Sequence, residues 1–239
     1  AVSVSKKPAN IVYYGTSSGN VFKIIDANIG NPEPIKISNQ NIPKGYISSI
    51  AIDPDNADEV IVSLSNYGIL SVFYSNDGGD NWESISGNLE ENPNGSGAGP
   101  GVNWIKILKL GKRKVYFAAT TAGLFSTAFL NGTGTAWQME GAEEIGNIVV
   151  SMIDLREEDS YVVVGTHATG AYEAFYKNLP EPPDAVALKD PVSGTKNITS
   201  SITLTWENSS INGFYELEIA KDPNFVEIIH SVKGLATTS

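Results

Sequence analysis

Ser75-Asn76-Asp77-Gly78-Gly79-Asp80-Asn81-Trp82 is the stretch of this chain that says most about its fold. The short carboxylate side chain of Asp77 can accept hydrogen bonds from the N–H groups of its own turn. Gly79 can adopt the positive φ that such a turn needs, and Trp82 is large enough to anchor the turn against the core of its blade. The pattern therefore predicts a structural hairpin built by Ser75, Asp77, Gly79 and Trp82, and not a catalytic or calcium-binding group of acids.

Segments of one shape recur on both sides of this hairpin. Each has a β-branched run, a short polar loop that ends in Gly, and a second apolar run. The closing glycines are Gly19, Gly68, Gly123 and Gly170, which are 49, 55 and 47 residues apart. Another apolar run precedes the last three segments, at residues 47–52, 104–110 and 148–153, and a strand next to a Trp follows two of them. The spacing is close to the ~40–50 residues of a propeller blade, so each unit is predicted to be a four-stranded meander.

The hairpin also carries a family resemblance. It matches the pattern Ser-x-Asp-x-Gly-x-x-Trp in full, and a worn copy without the Asp stands at Gly134-Thr135-Ala136-Trp137. Gly68 to Trp82 and Gly123 to Trp137 are both 14 residues, so the two copies are in register. The chain thus resembles, over about residues 1–179, the Asp-box (bacterial neuraminidase) repeat of sialidases, reducing-end xyloglucanases and sortilin-type receptors. The resemblance implies a secreted or cell-surface β-propeller.

A meander alternates its connections between two ends, and this alternation predicts where a ligand would bind. If the Ser75–Trp82 hairpin joins strands three and four, the opposite end carries the two–three loops and the connections between blades. In family members with known activity the ligand face resembles that opposite end. The candidates there, together with the Gly-rich stretch 88–101, are Asn66, Tyr67, Trp104, Thr120 and His167. Packing is the alternative for two of them, since Tyr67 can fill space between blades and Trp104 can belong to a core.

The last repeat and the residues after it predict a change of domain. The repeat passes from its third strand, 171–176, into the prolines around residues 180–184, which suit a stiff linker and not a fourth strand. From residue 185 to 239 two alternating runs, Ile202–Trp206 and Tyr215–Ile219, resemble the B and C strands of an incomplete fibronectin type III domain. The expected fold is therefore all-β, a partial propeller of about four blades in residues 1–179 plus a partial sandwich. We expect further blades to lie upstream in the same protein or in another chain.

Composition excludes several classes of function. The net charge is −11, which argues against a nucleic-acid partner, and the basic residues at 106–114 are expected to surround an ordinary hairpin turn. No apolar run approaches the ~20 residues of a membrane span. With no Cys and only His167 and His230, no metal or cofactor site is predicted. The run from Asp53 to Asp58 lacks the Gly and Glu of a calcium loop, and we interpret it as a turn.

The predicted function is that of a non-catalytic extracellular binding or scaffold propeller, with carbohydrate or protein as its ligand. The pairing of propeller, proline linker and sandwich is similar to large secreted proteins of polysaccharide-degrading bacteria. Sialidase activity is not expected, since sialidases use three arginines and this chain has two, Arg113 and Arg156. One alternative is a fragment of a secreted glycoside hydrolase whose catalytic acids lie elsewhere, and another is a structural segment of an adhesin. The acids on the expected ligand end are Glu90, Glu91, Glu143 and Glu144.

Overall fold

The computed structural model of the chain describes residues 1–176, 186–192, 194–196, 202–207, 215–222 and 227–235. They form β-strands and one short 3-10 helix, Gly87–Leu89. Among these residues no helix has the length and apolar character needed to cross a membrane. The chain divides into two compact units, Ala1–Leu179 and Pro180–Ser239. The linker predicted at residues 180–184 lies outside the described residues.

Four antiparallel sheets make up the first unit. The first sheet contains β1 (Val2–Val4), β2 (Val12–Gly15), β3 (Val21–Ile24) and β4 (Ile35–Lys36). The second contains β5 (Ile47–Ile52), β6 (Val60–Leu64), β7 (Val72–Ser75) and β8 (Glu83–Ser84). The third contains β9 (Val102–Leu110), β10 (Arg113–Thr120), β11 (Gly123–Thr127) and β12 (Gln138–Glu140). Within the described residues the fourth contains β13 (Val150–Arg156), β14 (Tyr161–Thr166) and β15 (Ala171–Phe175).

Each sheet is a simple meander, because strands that are neighbours in sequence are neighbours in space. The first strands contact one another from sheet to sheet, β1 with β5, β5 with β9 and β9 with β13. Successive four-stranded meanders that meet through their first strands have the arrangement of propeller blades. The prediction of an all-β fold with propeller-like blades is therefore confirmed.

A separate apolar cluster fills each gap between neighbouring blades. The three clusters contain, among others, Tyr13 with Phe73, Ile61 with Ile105, and Phe117 with Ile153. Strand β6 shows how one strand serves two gaps, since Val60 and Val62 lie in the first cluster while Ile61 lies in the second. Successive side chains of a strand point to opposite faces. All five residues of β6 are accordingly buried, and all of them except Ser63 are apolar.

The inner strands are joined by side chains at a recurring β-bulge. The pairing register of β5 shifts between Ile47 and Ser49, and that of β9 shifts opposite the step from Ala119 to Thr120. The residue displaced by each shift bonds to the next blade. Ser48 Oγ donates to the carbonyl oxygen of Val102 at 2.6 Å. Asn103 Nδ2 donates to the carbonyl oxygen of Val150 at 2.9 Å. The bulges thus aim polar side chains from one blade toward the start of the next.

The Ser75–Trp82 loop connects β7 to β8 and is closed by its own side chains. Asp77 Oδ1 accepts the hydroxyl hydrogen of Ser75 at 2.8 Å and the backbone N–H of Asn81 at 2.9 Å. Ser75 Oγ in turn accepts the N–H of Gly79 at 2.9 Å. Gly79 has φ +98°, and a Cβ there would lie 2.5 Å from Ile37 Cδ1, so a larger residue would collide with the first blade. Asp77 and Gly79 therefore serve the turn.

The two Trp side chains that follow these loops pack between blades, whereas the sequence suggested contact with the blade's own core. Trp82 lies in the cluster shared by the first and second blades, and its Nε1 donates to the carbonyl oxygen of Ile37 at 2.9 Å. Trp137 lies in the cluster shared by the second and third blades, and its Nε1 donates to the carbonyl oxygen of Ile85 at 2.8 Å. Asn41 Nδ2 also donates to the backbone oxygen of Trp82 at 3.0 Å. Each indole thus attaches its blade to the preceding one.

The turns near the Ser75–Trp82 loop form what we call the hairpin end, defined by residues 53–59, 75–82 and 111–112. The N–H of Gly78 donates to the carbonyl oxygen of Asp58 at 2.8 Å, so segments 53–59 and 75–82 are in contact. Asp53 Oδ1 accepts N–H bonds from Asp55 at 2.8 Å and Asn56 at 2.9 Å, as expected of a turn carboxylate. The interpretation of residues 53–58 as a turn agrees with this geometry.

Buried charges tie the second and third blades at the hairpin end. Lys114 Nζ lies 2.9 Å from Asp53 Oδ2 and 2.5 Å from Glu59 Oε2, and both carboxylates are buried. Tyr116 donates to Glu59 Oε1 at 3.2 Å. Burial acts to lower the pKa of Lys114, but its bonds to Glu59 and Asp53 prevail and the pKa is raised. Lys106 and Lys109 pair with Asp154 and Asp55.

The second unit is described in part. Strand β16 (Leu188–Asp190) pairs with β17 (Thr205–Trp206), and β18 (Tyr215–Ala220) pairs with β19 (Ile228–Leu235), both antiparallel. Trp206 is buried. The two runs predicted as strands, Ile202–Trp206 and Tyr215–Ile219, thus contain or form strands. Residues 223–226 lie outside the described residues.

Candidate functional site

The two–three loops and the connections between blades form the end opposite the hairpin end, which we call the loop end. It is defined by residues 16–20, 37–46, 65–71, 88–101 and 120–123, together with 141–149 and 166–170. All five predicted candidates lie on it or on the strands that lead into it. The loop end is therefore the surface to test for binding.

In the second, third and fourth blades the two–three loop bonds to the residue that leads into the inner strand of its own blade. Asn66 Oδ1 accepts the N–H of Tyr46 at 2.6 Å. The N–H of Thr121 donates to the carbonyl oxygen of Gly101 at 3.0 Å, and the N–H of Gly101 donates to Thr121 Oγ1 at 3.1 Å. In the fourth blade the N–H of His167 donates to Val149 at 2.8 Å. These bonds fix the loops to the blades, so their outward side chains have defined positions.

The long stretch 88–101 is folded by its own acids. Glu90 is buried and its Oε1 accepts the hydroxyl hydrogen of Ser71 at 2.5 Å. Glu91 Oε2 accepts the N–H of Ala98 at 2.7 Å. Gly95 has φ +83° and lies against the neighbouring loop, since a Cβ on it would be 2.2 Å from the backbone nitrogen of Leu70. Burial raises the pKa of Glu90. Both acids thus bond to residues of this stretch or of the neighbouring loop.

Two exposed tyrosines give the loop end its chemical character. Tyr67 is 65% exposed and Tyr46 is 50% exposed, and Asn66 lies between them through its bond to Tyr46. We call these three residues the tyrosine ledge. Lys44 is also exposed nearby in the chain. Aromatic faces, hydroxyls and an amide are groups that bind polar, non-ionic ligands such as sugars or peptide backbone.

Tyr46 was not among the residues predicted from the sequence, although its position in the sequence indicates the loop end. Tyr46 directly precedes the first strand of its blade, and the connections between blades were expected on this end. Only the apolar run after it was considered, at residues 47–52. The side chain that leads into an inner strand is as much a part of the loop end as the two–three loop that it bonds to.

The other candidates are not part of the ledge. Trp104 is half-buried and packs against the cluster between the third and fourth blades. Thr120 is fully buried, and its Oγ1 donates to Gly123 at 2.8 Å and accepts the N–H of Ala122 at 3.0 Å. His167 is exposed on the β14–β15 loop. Asn66 and Tyr67 are adjacent in sequence, and Trp104 pairs with Ala119, the neighbour of Thr120.

The remaining acids of the loop end lie between the third and fourth blades. Glu143 and Glu144 are exposed on the connection 141–149. Glu144 also lines a cavity there, together with Glu140 and Glu173. Glu140 accepts a hydrogen bond from Ser126 at 2.5 Å, and Glu173 accepts one from Tyr161. Two of these three carboxylates thus already have hydrogen-bond donors.

Comparison with known proteins bears on the fold. No family model matches the chain, and no curated protein matches its sequence. Among solved structures, an ancestral GH74 enzyme aligns with a TM-score of 0.50 at 16% identity, over 79% of this chain and 25% of that one. The Niastella koreensis GH74 enzyme gives a TM-score of 0.49 at 14% identity, over 73% of this chain and 28% of that chain.

The GH74 xyloglucanase from Xanthomonas campestris gives a TM-score of 0.46 at 14% identity, over 78% of this chain and 33% of that chain. The chain thus spans between a quarter and a third of the lengths of these three proteins. At such identities a likeness speaks for the fold alone. The ancestral GH74 enzyme and this chain share a β-propeller fold.

Proposed function

We propose that this chain is the binding segment of an extracellular or cell-surface protein, and that its loop end binds carbohydrate without catalysis. The first unit is then a run of Asp-box propeller blades, joined by a linker at residues 180–184 to a fibronectin type III-like domain. The observation that carries the proposal is the tyrosine ledge. An exposed pair of aromatic side chains fixed by a backbone-bonded Asn offers the planar faces and polar groups that sugar rings need.

The bonds of Glu90 and Glu91 support a non-catalytic role. Glycoside hydrolysis needs a pair of carboxyl groups about 5–10 Å apart on either side of the scissile bond. Glu90 accepts a hydrogen bond from Ser71 of the neighbouring two–three loop, and Glu91 accepts one from the N–H of Ala98 within its own stretch. The ledge residues themselves carry no carboxylate.

The second candidate is a fragment of a secreted glycoside hydrolase. It is suggested by the ancestral GH74 enzyme that shares the fold, with catalytic acids outside this segment. A structural segment of a large adhesin is the third candidate, for which the ledge would have no ligand.

Affinity electrophoresis in gels that contain xyloglucan, mixed-linkage β-glucan or mannan tests the proposal. The wild-type chain should be retarded by at least one polysaccharide, and Tyr67→Ala or Tyr46→Ala should weaken binding about tenfold or more, because each removes a large contact face. Phe129→Ala is the matched control, since Phe129 is 62% exposed on the β11–β12 loop at the hairpin end. It should bind as the wild type does.

Three results contradict the proposal. Release of reducing sugar from any of the polysaccharides would favour the hydrolase candidate. Binding that survives both tyrosine substitutions would place the site elsewhere. A chain that is retarded by none of the polysaccharides would favour the adhesin segment.

A further inference from the structure

A cavity of about 350 Å³ lies between the third and fourth blades. Its walls are largely apolar. Leu124 and Ile145 come from the third blade and the connection after it, and Val162, Val164 and Tyr172 come from the fourth. The cavity continues the apolar cluster of this gap, to which the same five side chains belong. Its size is at the lower end of the range for ligand pockets, about 300–1,000 Å³.

In the two other gaps an indole packs among side chains from equivalent strands. Trp82 packs with Ile37, Val62 and Phe73 between the first and second blades, and Trp137 packs in the second gap. Each Trp stands 14 residues after the closing Gly of its repeat, whereas the residue 14 after Gly170 is Asp184. Trp104, on an inner strand, does not line the cavity. The fourth repeat thus lacks the residue that fills this place elsewhere.

The strand edge beside the cavity differs from its counterparts in the same way. The third strands of the other blades pair on both sides, β3 with β4, β7 with β8 and β11 with β12. Within the part of the chain that the structure describes, β15 pairs only with β14. Trp82 and Trp137 each directly precede the strand that covers such an edge. An indole in the gap and a strand on the edge therefore occur together.

Three carboxylates that line the cavity favour a ligand with positive charge. Glu140, Glu144 and Glu173 surround the apolar walls. A segment with basic residues beside its indole would meet these carboxylates favourably, whereas acidic neighbours would be repelled.

We infer that the cavity between the third and fourth blades, together with the edge of β15 that pairs with no strand among the described residues, is a binding site for an extended peptide segment of a partner chain that carries an indole side chain. The indole enters the cavity as Trp82 and Trp137 enter the other gaps. The residues after it add a strand to β15 by backbone hydrogen bonds. The site is independent of the tyrosine ledge and of its ligand.

Fluorescence anisotropy with the full chain and a labelled peptide tests this inference. The peptide Lys-Asn-Trp-Lys-Ser-Ile-Ser follows residues 80–86 with Lys in place of both acids. It should bind saturably, and a peptide with Ala in place of Trp should bind about tenfold more weakly or worse. The parent peptide with both acids should bind more weakly than the Lys peptide.

Two substitutions locate the site. Ala174→Phe fills the cavity from a position that lines it, and should weaken binding of the Trp peptide about tenfold. Ala9→Phe is the matched control, because Ala9 is exposed in the first blade and neither lies on β15 nor lines the cavity. Thermal melting checks that both variants fold. If Ala174→Phe does not fold, the comparison of the Trp and Ala peptides decides the question.

The inference is overturned if the wild-type chain shows no saturable binding up to about millimolar peptide, a weak limit for a specific contact. Equal binding of the Trp and Ala peptides would also overturn it. So would unchanged binding to a folded Ala174→Phe variant, since the peptide would then occupy another surface.

Discussion

The indole nitrogen of Trp82 lies 2.9 Å from the carbonyl oxygen of Ile37, so a side chain of the second blade supplies a hydrogen bond to the first. Trp137 repeats the contact with Ile85 at 2.8 Å. These two residues close the gaps between blades from the outside, where the sheets have their shortest strands. At their outer strands the blades are therefore joined by one indole bond in each of these two gaps.

Replacement of Trp82 by Phe should lower the free energy of unfolding by about 1–3 kcal/mol, because a buried carbonyl oxygen loses its donor. Trp82→Ala should cost more, about 3–5 kcal/mol, through the cavity left behind. Urea unfolding measures both. Tyr67→Phe, on an exposed side chain, is the control and should leave stability unchanged. A Trp82→Phe variant as stable as the wild type would contradict the role assigned to this bond.

Asp77 should make stability depend on pH at the acid end. The backbone N–H and side-chain amide of Asn81 lower the pKa of Asp77 from 3.8 to about 2. A carboxyl group with a lowered folded pKa stabilises the fold above its unfolded pKa, and this contribution is lost as pH falls from about 4 to about 2.

Asp77→Asn should therefore be less stable than the wild type by about 1–2 kcal/mol at neutral pH, and the two should converge near pH 2. Asp80→Asn, an exposed acid of the same loop, is the control for net charge. A constant difference across this pH range would show that the charge on Asp77 contributes nothing. Any ligand affinity of the loop end should be unchanged, since Asp77 lies at the other end.

Lys114 should stabilise the fold by neutralising the buried carboxylates of Asp53 and Glu59. Lys114→Met leaves Asp53 and Glu59 buried without their cation, which should cost about 3–5 kcal/mol. Adding Glu59→Gln should restore part of the loss. Lys112→Met, an exposed residue of the same hairpin, serves as the control. Chemical unfolding of the wild type, Lys114→Met, Glu59→Gln and the double variant gives the coupling energy, and additive effects would indicate that Lys114 and Glu59 are not coupled.

Exposed valines on the innermost strand of the first blade should promote self-association. Val2 is 71% exposed and Val4 is 61% exposed. Exposed apolar side chains on the same face of a strand promote association between molecules. Light scattering should show concentration-dependent association of the wild-type chain, reduced in the Val2→Ser/Val4→Ser variant. Val186→Ser, an exposed valine of the second unit, should not reduce it. A wild-type chain that is monomeric at all concentrations would refute the prediction.

Periodicity and one hairpin were sufficient to predict the blades. The spacing of Gly68 and Gly123 located strands β6 and β10, and the Ser75–Trp82 pattern predicted the turn chemistry of Asp77 and Gly79. Both are local properties, since a strand period and a turn depend on residues that are near in sequence. That is why they were visible in one sequence.

Contacts between blades were not predictable in the same way. Trp82 was expected to anchor its own blade, but the acceptor Ile37 lies 45 residues earlier, and no local pattern connects the two. Thr120 illustrates the same difficulty. Its place at a two–three loop predicted an exposed side chain, but the side chain is buried and its hydroxyl donates to the carbonyl oxygen of Gly123. Tyr46 and the cavity beside β15 emerge only when the blades are placed side by side.

The side chains that lead from one blade to the next have a consequence for how such a chain changes over generations. Ser48 binds the blade after it through Val102, and Asn103 binds the blade after that through Val150. Because a blade meets its predecessor and its successor through contacts of the same kind, duplication or deletion of one repeat joins surfaces that already fit. Copy number can then alter by a single recombination event, and the lineage need not evolve a new interface before the longer or shorter protein folds.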